Sequence, residues 1–412
     1  MATVKPFQAV RPRPDLAHRI AALPYDVYNT QEALEEIKRE PLSFLKIDRA
    51  ETQFGPDINP YDARVYAKAR EMLDSMIQEG LFIQDNQACY YIYELTMDGR
   101  SQTGIVGCAS VDDYLQDLIK KHEKTRADKE LDRINHVDIC NAQTGPIFLA
   151  YRSQETINEV LFKVKKNTPI YNFISPDAIQ HTVWKIDRPE DIDIIYSAFQ
   201  SLQNIYIADG HHRAASAVKV GLKRREANPN YNGEEEFNFF LSVLFPHDQL
   251  KIFDYNRVVK DLNGHTVEDF LKKVSAAFGV EKIGSKAYKP TAKGTFGLYV
   301  EGFWYKLTVK DEIRSNDPVQ GLDVSLLQNH ILQPLLNIQD PRTDDRIDFV
   351  GGIRGLKELE RRVETDMKLA FSMYPTTIDE LFAVADAGQL MPPKSTWFEP
   401  KLRSGLFIHQ LK

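Results

Sequence analysis

The sequence predicts an α/β protein of the α+β kind, built around a mixed sheet. Three observations lead there. Stretches with apolar residues at helical spacing take turns along the chain with short β-branched and aromatic runs. A buried strand, Ile205-Tyr206-Ile207-Ala208-Asp209, passes through Gly210 directly into a helix that begins His211-His212-Arg213. The 412 residues are 42% hydrophobic and 27% charged, an ordinary globular balance with ample material for a large core. Length suggests two or three domains or one multi-lobed domain.

Residues 1–30 hold Pro6, Pro12, Pro14 and Pro24 and read as extended chain, because proline lacks an amide donor and restricts its predecessor. Such a segment either packs across a surface or brings Arg11, Arg13 and Tyr25 to a pocket. Asn29 or Thr30 caps a helix through residues 32–37. Residues 43–47 alternate like a strand. Residues 61–80 carry Val65, Ala69, Met72, Leu73 and Met76 at helical spacing, and Gly80 ends the helix. Residues 88–95 and 102–111 are β runs joined by the hairpin signal Asp98-Gly99, with a helix through residues 114–119 after them. Strand 145–151, helix 154–165, strand 181–186 and a helix after Pro189 lead to the central strand and helix. Ala214, Ala217, Val218 and Leu222 form that helix's sheet-facing side. Strands at 239–245 and 252–259 follow, then a helix at 266–278 and strands near 296–309 turning at Gly302-Phe303. A long apolar helix at 323–336, a strand at 346–350 and helices near 354–364 and 377–384 complete the pattern. The end, with Pro392-Pro393-Lys394-Ser395-Thr396-Trp397-Phe398 and Leu406-Phe407-Ile408, is too rigid and apolar for a frayed tail and is expected to fold back.

A net charge of -7 and a pI near 5.9 argue against nucleic acid as a partner, since gripping a phosphate backbone needs a basic face. Cys89, Cys108 and Cys140 fit neither a zinc pattern nor a disulfide framework and read as reduced, buried thiols. No apolar run is long enough to span a bilayer, and the N-terminus lacks the apolar core of a signal peptide. The expectation is a cytoplasmic protein without membrane partners.

The chemistry concentrates in three places. At the central turn, first-turn amides and the helix dipole favour an anion, phosphate above all, and His211, His212 and Arg213 add to that. Asp209 is out of place there unless it handles a metal or a proton. The second place is Lys120-Lys121-His122-Glu123-Lys124-Thr125-Arg126, followed by Lys129, Asp132, Arg133 and His136. A solvated helix face accounts for such a run, and so does a phosphate-binding wall with one carboxylate inside it. The third is Lys394-Ser395-Thr396, one cation and two hydroxyls without the glycines of a Walker loop. A two-histidine metal site is disfavoured, since adjacent helical residues diverge and no H-E-x-x-H is present. A serine hydrolase lacks its G-x-S-x-G elbow. Phosphoryl transfer fits best, because it needs phosphate-binding amides and cations, a carboxylate for Mg²⁺ and a carboxylate near the acceptor hydroxyl.

The three segments Tyr206 to Arg213, His122 to Arg126 and Met391 to Phe398 together resemble a widespread prokaryotic family catalogued as a domain of unknown function. The Asp-Gly-His-His-Arg turn also resembles the nucleotide-binding turn of the ParB/sulfiredoxin superfamily, with Arg213 in the place of its arginine. That superfamily includes kinases of free L-serine. The resemblance implies a ParB/sulfiredoxin-like nucleotide-binding core at 175–260, an N-terminal part at 1–174 contributing the His-Glu-Lys-Thr-Arg cluster, and a C-terminal part at 261–412. It implies ATP with Mg²⁺ as cofactors, L-serine as substrate, and allows a homodimer. The expected catalytic groups are Glu123, Asp209, His211 and His212, with Asp209 facing the metal. Gly210, Arg213, Lys124, Thr125, Arg126, Lys394, Ser395 and Thr396 are expected at phosphates, and Tyr25, Asp26 and Arg133 at the acceptor. The superfamily's serine kinases place a glutamate base after a proline, so Glu190 is the second choice behind Glu123. A non-catalytic nucleotide-binding regulatory module is the alternative. A sulfiredoxin-like redox enzyme would need a cysteine in the turn, where histidines stand; a phosphatase is a further option.

Overall fold

A computed structural model describes residues 1–412 apart from Arg126 and the side chains of Asp128 and Lys129. The chain divides into two compact units, Met1–Leu250 with Pro400–Lys412, and Lys251–Glu399. The protein is mixed α/β, as the alternation of patterns predicts.

The first unit contains, in chain order, β1 (Val4–Lys5), α1 (Ala63–Gln78), β2 (Tyr90–Met97), β3 (Arg100–Ser110), β4 (Ile119–Lys120), α2 (Ala127–Cys140), β5 (Ile147–Tyr151), α3 (Glu155–Val164), β6 (Tyr171–Ile174), β7 (Gln180–Ile186), α4 (Pro189–Ser201), β8 (Ile205–Asp209), α5 (His211–Ala227) and β9 (Phe239–Pro246). The strands form one nine-stranded sheet in the order β4-β8-β5-β9-β3-β2-β7-β6, with β1 beside β3. The β4–β8 and β5–β9 pairs are parallel and the others antiparallel. The β2–β3 hairpin closes on Asp98 and Gly99, both at positive φ (51° and 76°), the conformation that a tight two-residue turn requires.

One face of the sheet supplies Tyr90, Ile92, Ile105, Leu149, Ile205, Ile207, Phe240 and Leu244 to a core completed by α3, α4 and α5 through Val160, Leu161, Phe199, Ala214, Ala217 and Val218. Each large apolar side chain buried there contributes about 1.5–3 kcal/mol, so this packing holds the helices to the sheet more than their propensities do. On the other face, Tyr91 and Tyr93 pack against Phe407 of the C-terminal segment, with ring centroids 5.1 and 6.1 Å apart. Ile408 pairs with Val10, and His409–Gln410 with Ala142–Gln143. Val65, Ala69, Leu73 and Met76 of α1 form a separate cluster with Phe44, Leu45 and Ile47.

The second unit holds β10 (Tyr255–Val259), β11 (Phe278–Gly284), β12 (Thr295–Val300), β13 (Phe303–Val309), β14 (Ile347–Gly351) and β15 (Leu369–Ser372). They make an antiparallel sheet in the order β11-β13-β12-β15-β10-β14.

Four segments differ from expectation. Residues 1–30 are not extended throughout, since Ala17–Ile20 is a short helix and Tyr25–Val27 a helical turn. Residues 43–47 are not a strand: Leu45–Asp48 is a short helix, and Phe44, Leu45 and Ile47 are all buried, which a one-sided strand would not allow. The helix expected over 114–119 starts earlier, at Val111–Leu115, because the Ser110 hydroxyl accepts the amides of Asp112 and Asp113. Asp117 at φ 58° then turns the chain, and Ile119–Lys120 is a strand. The helix expected over 323–336 is α-helical only at Asp323–Leu327 and passes into a π turn at Gln328–Leu332. Pro334 has no amide to continue the ladder. The three cysteines are free and buried, as expected. Among the described residues, no helix is long and apolar enough to cross a membrane.

Candidate functional site

The site is built where β8 ends. β4 lies alongside β8 in parallel, with Ile119 opposite Ile205 and Lys120 opposite Tyr206. The chain leaving β4 therefore runs beside the end of β8 and carries His122 and Glu123 to the start of α5. On its other side β8 pairs with β5, and a bulge between Ile207 and Asp209 shifts the register so that Asp209 stands opposite Phe148. Bulges re-aim side chains at strand ends. Gly210 then takes φ 90°, ψ 30°, a left-handed conformation that a side chain would strain, and α5 begins at His211.

Asp209 accepts the Gly210 amide at 2.8 Å and the Lys401 ammonium at 2.8 Å. Burial pushes its carboxyl up, but Lys401, the Gly210 amide and His211 outweigh that and hold it at about 2. Its side chain keeps 45% of its surface exposed, so it faces solvent as an ion pair. His122 and His211 are the opposite, at 2% and 5% exposure, with rings edge to face and centroids 4.5 Å apart. Burial pushes His122 down to about 4 and His211 well below its ordinary value, the latter helped by His122, so both are neutral imidazoles. The Glu123 carboxylate, 46% exposed, lies 3.7 Å from Nδ1 of His211. One donor atom from each of His122, Glu123 and His211 lies within 4.8 Å of the others.

Arg213 reaches instead to the loop before β5. Its Nη1 donates to the Pro146 carbonyl at 3.4 Å, and its guanidinium lies 5.5 Å from the Tyr25 ring centroid. A Cβ on Gly145 would stand 2.5 Å from that Nη1, so glycine is needed for the approach. Arg133 of α2 lies 4.0 Å from the same Tyr25 ring and is held by Asp132, which also accepts the Tyr66 hydroxyl at 3.0 Å. Tyr25, Arg133 and Arg213 line a small cavity of about 30 Å³ with Asp48, His136 and Thr144. A second, larger cavity of about 160 Å³ shares Tyr25, Asp48, Arg133 and His136 with it.

The structure thus groups Glu123, Asp209, Gly210 and His211 in one cluster, and Tyr25, Arg133 and Arg213 in another. The remaining candidates are dispersed. Asp26 is exposed in the turn Tyr25–Val27. Lys124 is exposed, and the Thr125 hydroxyl donates to Glu130 at 2.8 Å. His212 is half-buried, and its carbonyl accepts the Ser216 hydroxyl at 2.7 Å. Glu190 sits exposed in the first turn of α4. Arg126 lies outside the described residues. Lys394, Ser395 and Thr396 belong to the second unit; Lys394 is exposed at φ 58°, and the Ser395 hydroxyl donates to the Pro392 carbonyl at 2.6 Å. Sequence reasoning missed Lys401 and did not give His122 a role of its own. Nothing local ties Lys401 to a carboxylate 192 positions away. His122 was discoverable as the neighbour of Glu123 once the β4–β8 pairing was known.

Fold and site together define a mixed α/β protein with a strand–glycine–helix turn flanked by a histidine–carboxylate cluster. The chain belongs to the family described as protein of unknown function, DUF1015, whose model matches residues 4–325. No curated protein matches the sequence. Similar solved structures include a free serine kinase in complex with AMP, 15% identical over 74% of this chain and 91% of that one, with a TM-score of 0.36. A mutant free serine kinase in complex with ADP is 14% identical over 74% and 92%, with a TM-score of 0.36. SbnI with a C-terminal truncation, from Staphylococcus aureus, is 10% identical over 71% and 82%, with a TM-score of 0.37.

Proposed function

We propose that the protein is an ATP-dependent kinase that phosphorylates the hydroxyl of a small molecule, free L-serine being the acceptor. What supports the reading is one convergence: a carboxylate, Glu123, and an ammonium, Lys401, meet at a glycine turn that opens a helix. The first-turn amides of α5 have no intrahelical partner and suit phosphate oxygens. Lys401 supplies positive charge where phosphoryl oxygens gather negative charge. Glu123 accepts the proton of the acceptor hydroxyl, beside an uncharged His211 that does not compete for it. Asp209 fits Mg²⁺ through a bridging water better than directly, because one of its oxygens already carries Lys401. Mg²⁺, when bound, neutralises phosphate charge. Tyr25 and Arg133 also line the larger cavity, of about 160 Å³, where the Arg133 guanidinium suits the carboxylate of an amino acid.

The test is incubation with ATP, Mg²⁺ and L-serine, read as O-phospho-L-serine by mass spectrometry. Glu123→Gln should lower kcat by about 10²–10⁴-fold, the usual worth of a general base. If serine and other small alcohols all leave ATP intact, the kinase reading falls. The Lys401–Asp209 pair favours a second reading, a nucleotide-binding regulatory module that needs no metal at its carboxylate. That module would bind nucleotide equally well after Glu123→Gln and show no turnover to lose.

A further inference from the structure

We propose that His122, Glu123 and His211 bind a first-row transition-metal dication of the Zn²⁺ or Mn²⁺ class, at a site separate from the Asp209–Lys401 pair. Both ring nitrogens of His122 and Nε2 of His211 are buried without a hydrogen bond of proper geometry, His122 merely approaching the Ile207 backbone. Buried imidazoles normally satisfy their nitrogens, and a pair left open in one place calls for a ligand.

The donor set then selects the ligand. Two neutral imidazoles and one carboxylate suit Zn²⁺ and its neighbours, whereas Mg²⁺ and Ca²⁺ prefer oxygen alone. The donors lie within 4.8 Å of one another. A tetrahedral site with metal–nitrogen bonds near 2.1 Å needs separations of ~3.4 Å, so a modest side-chain rotation closes it. Glu123, 46% exposed, is the residue with room to rotate, and the solvent on its side leaves the remaining coordination positions to water or substrate.

The two histidines are held on different elements. His122 is fixed by the β4–β8 pairing and His211 by the turn at Gly210, so the pair is prepositioned by the sheet and not by helical spacing. This is why the adjacent His211-His212 pair gives no hint of the site: its second ligand is His122, 89 positions earlier by sequence number. The inference does not rest on the kinase reading. A filled site would use one Glu123 oxygen as ligand and leave the other to accept the proton of the acceptor.

The experiment uses the full chain stripped with a chelator and dialysed, in the absence of nucleotide. Zn²⁺ is titrated calorimetrically, and Co²⁺ is followed by its visible absorption, which is intense only in low-coordinate sites. One equivalent of Zn²⁺ should bind and resist a hundredfold excess of Mg²⁺. Affinity should fall about tenfold or more in Glu123→Gln, whose exposed side chain does not hold the fold, and binding should vanish in His211→Ala, checked for folding by circular dichroism. Absence of saturable binding, or equal affinity in wild type and both variants, overturns the site. Because no nucleotide is present, failure here leaves the kinase reading standing, and failure of the kinase assay leaves this site standing.

Discussion

At the scale of single residues, two positions near the turn separate backbone from charge. Gly210 sits at φ 90°, so Gly210→Ala forces a left-handed non-glycine residue at a cost of about 1–2 kcal/mol. The open space around its Cβ position, nothing nearer than 3.7 Å, means that the cost is conformational and not steric. We expect a lower melting temperature and weakened ATP binding, the latter measured by calorimetry at a temperature where the variant is folded. Lys401→Met removes charge and keeps most of the apolar stem. The Lys401–Asp209 pair is partly solvated, so stability should change by less than about 1 kcal/mol in chemical denaturation. On the proposed kinase reading, phosphoryl transfer should fall tenfold or more, because the ammonium lies at the turn. Equal turnover in Lys401→Met would remove Lys401 from the site. Gly210 was legible in the sequence because a strand running into a helix requires a sharp turn, a local demand. Lys401 was not, since only folding brings the tail to β8.

At the scale of elements, local signals fared well where one residue decides the outcome. Asp98-Gly99 set the hairpin, and Pro189 opened α4 at its first turn. They failed where packing decides, as in the short helix Leu45–Asp48, whose apolar residues are buried on all sides. The short helix Asp323–Leu327 carries its own prediction. Burial pushes the Asp323 carboxyl up to about 7, against the Gly294 amide that donates to it at 2.9 Å. The unfolded chain loses this proton near pH 3.8, so stability is greatest below that value and declines as pH rises through 7. Asp323→Asn keeps an oxygen for Gly294 and has no proton to lose. It should flatten the pH dependence and raise stability at pH 8 by roughly 1–3 kcal/mol relative to pH 4. Thermal unfolding of both proteins at the two pH values tests this, and parallel curves would contradict it.

At the scale of the whole molecule, the C-terminal segment is part of the first unit's core. Arg403, 3% exposed, donates to Asp177 at 2.5 Å and to Ser175 at 3.0 Å, and with burial it helps drive His181 down to about 3. Phe407 covers the tyrosine face of the sheet. A chain ending at Glu399 should lose cooperative unfolding of the first unit and bind a hydrophobic dye, whereas Lys401→Met should do neither; a truncated chain that unfolds like the intact protein would refute this. The sequence by itself determined the α/β class and the turn at Gly210, because periodicity and turn conformation are local properties. Only the tertiary structure decided that β4 lies parallel to β8, that His122 joins His211, that Tyr25 meets Arg133 and Arg213, and that Lys401 holds Asp209. Those pairings are fixed by burying the whole sheet at once, a demand that no short stretch of sequence carries.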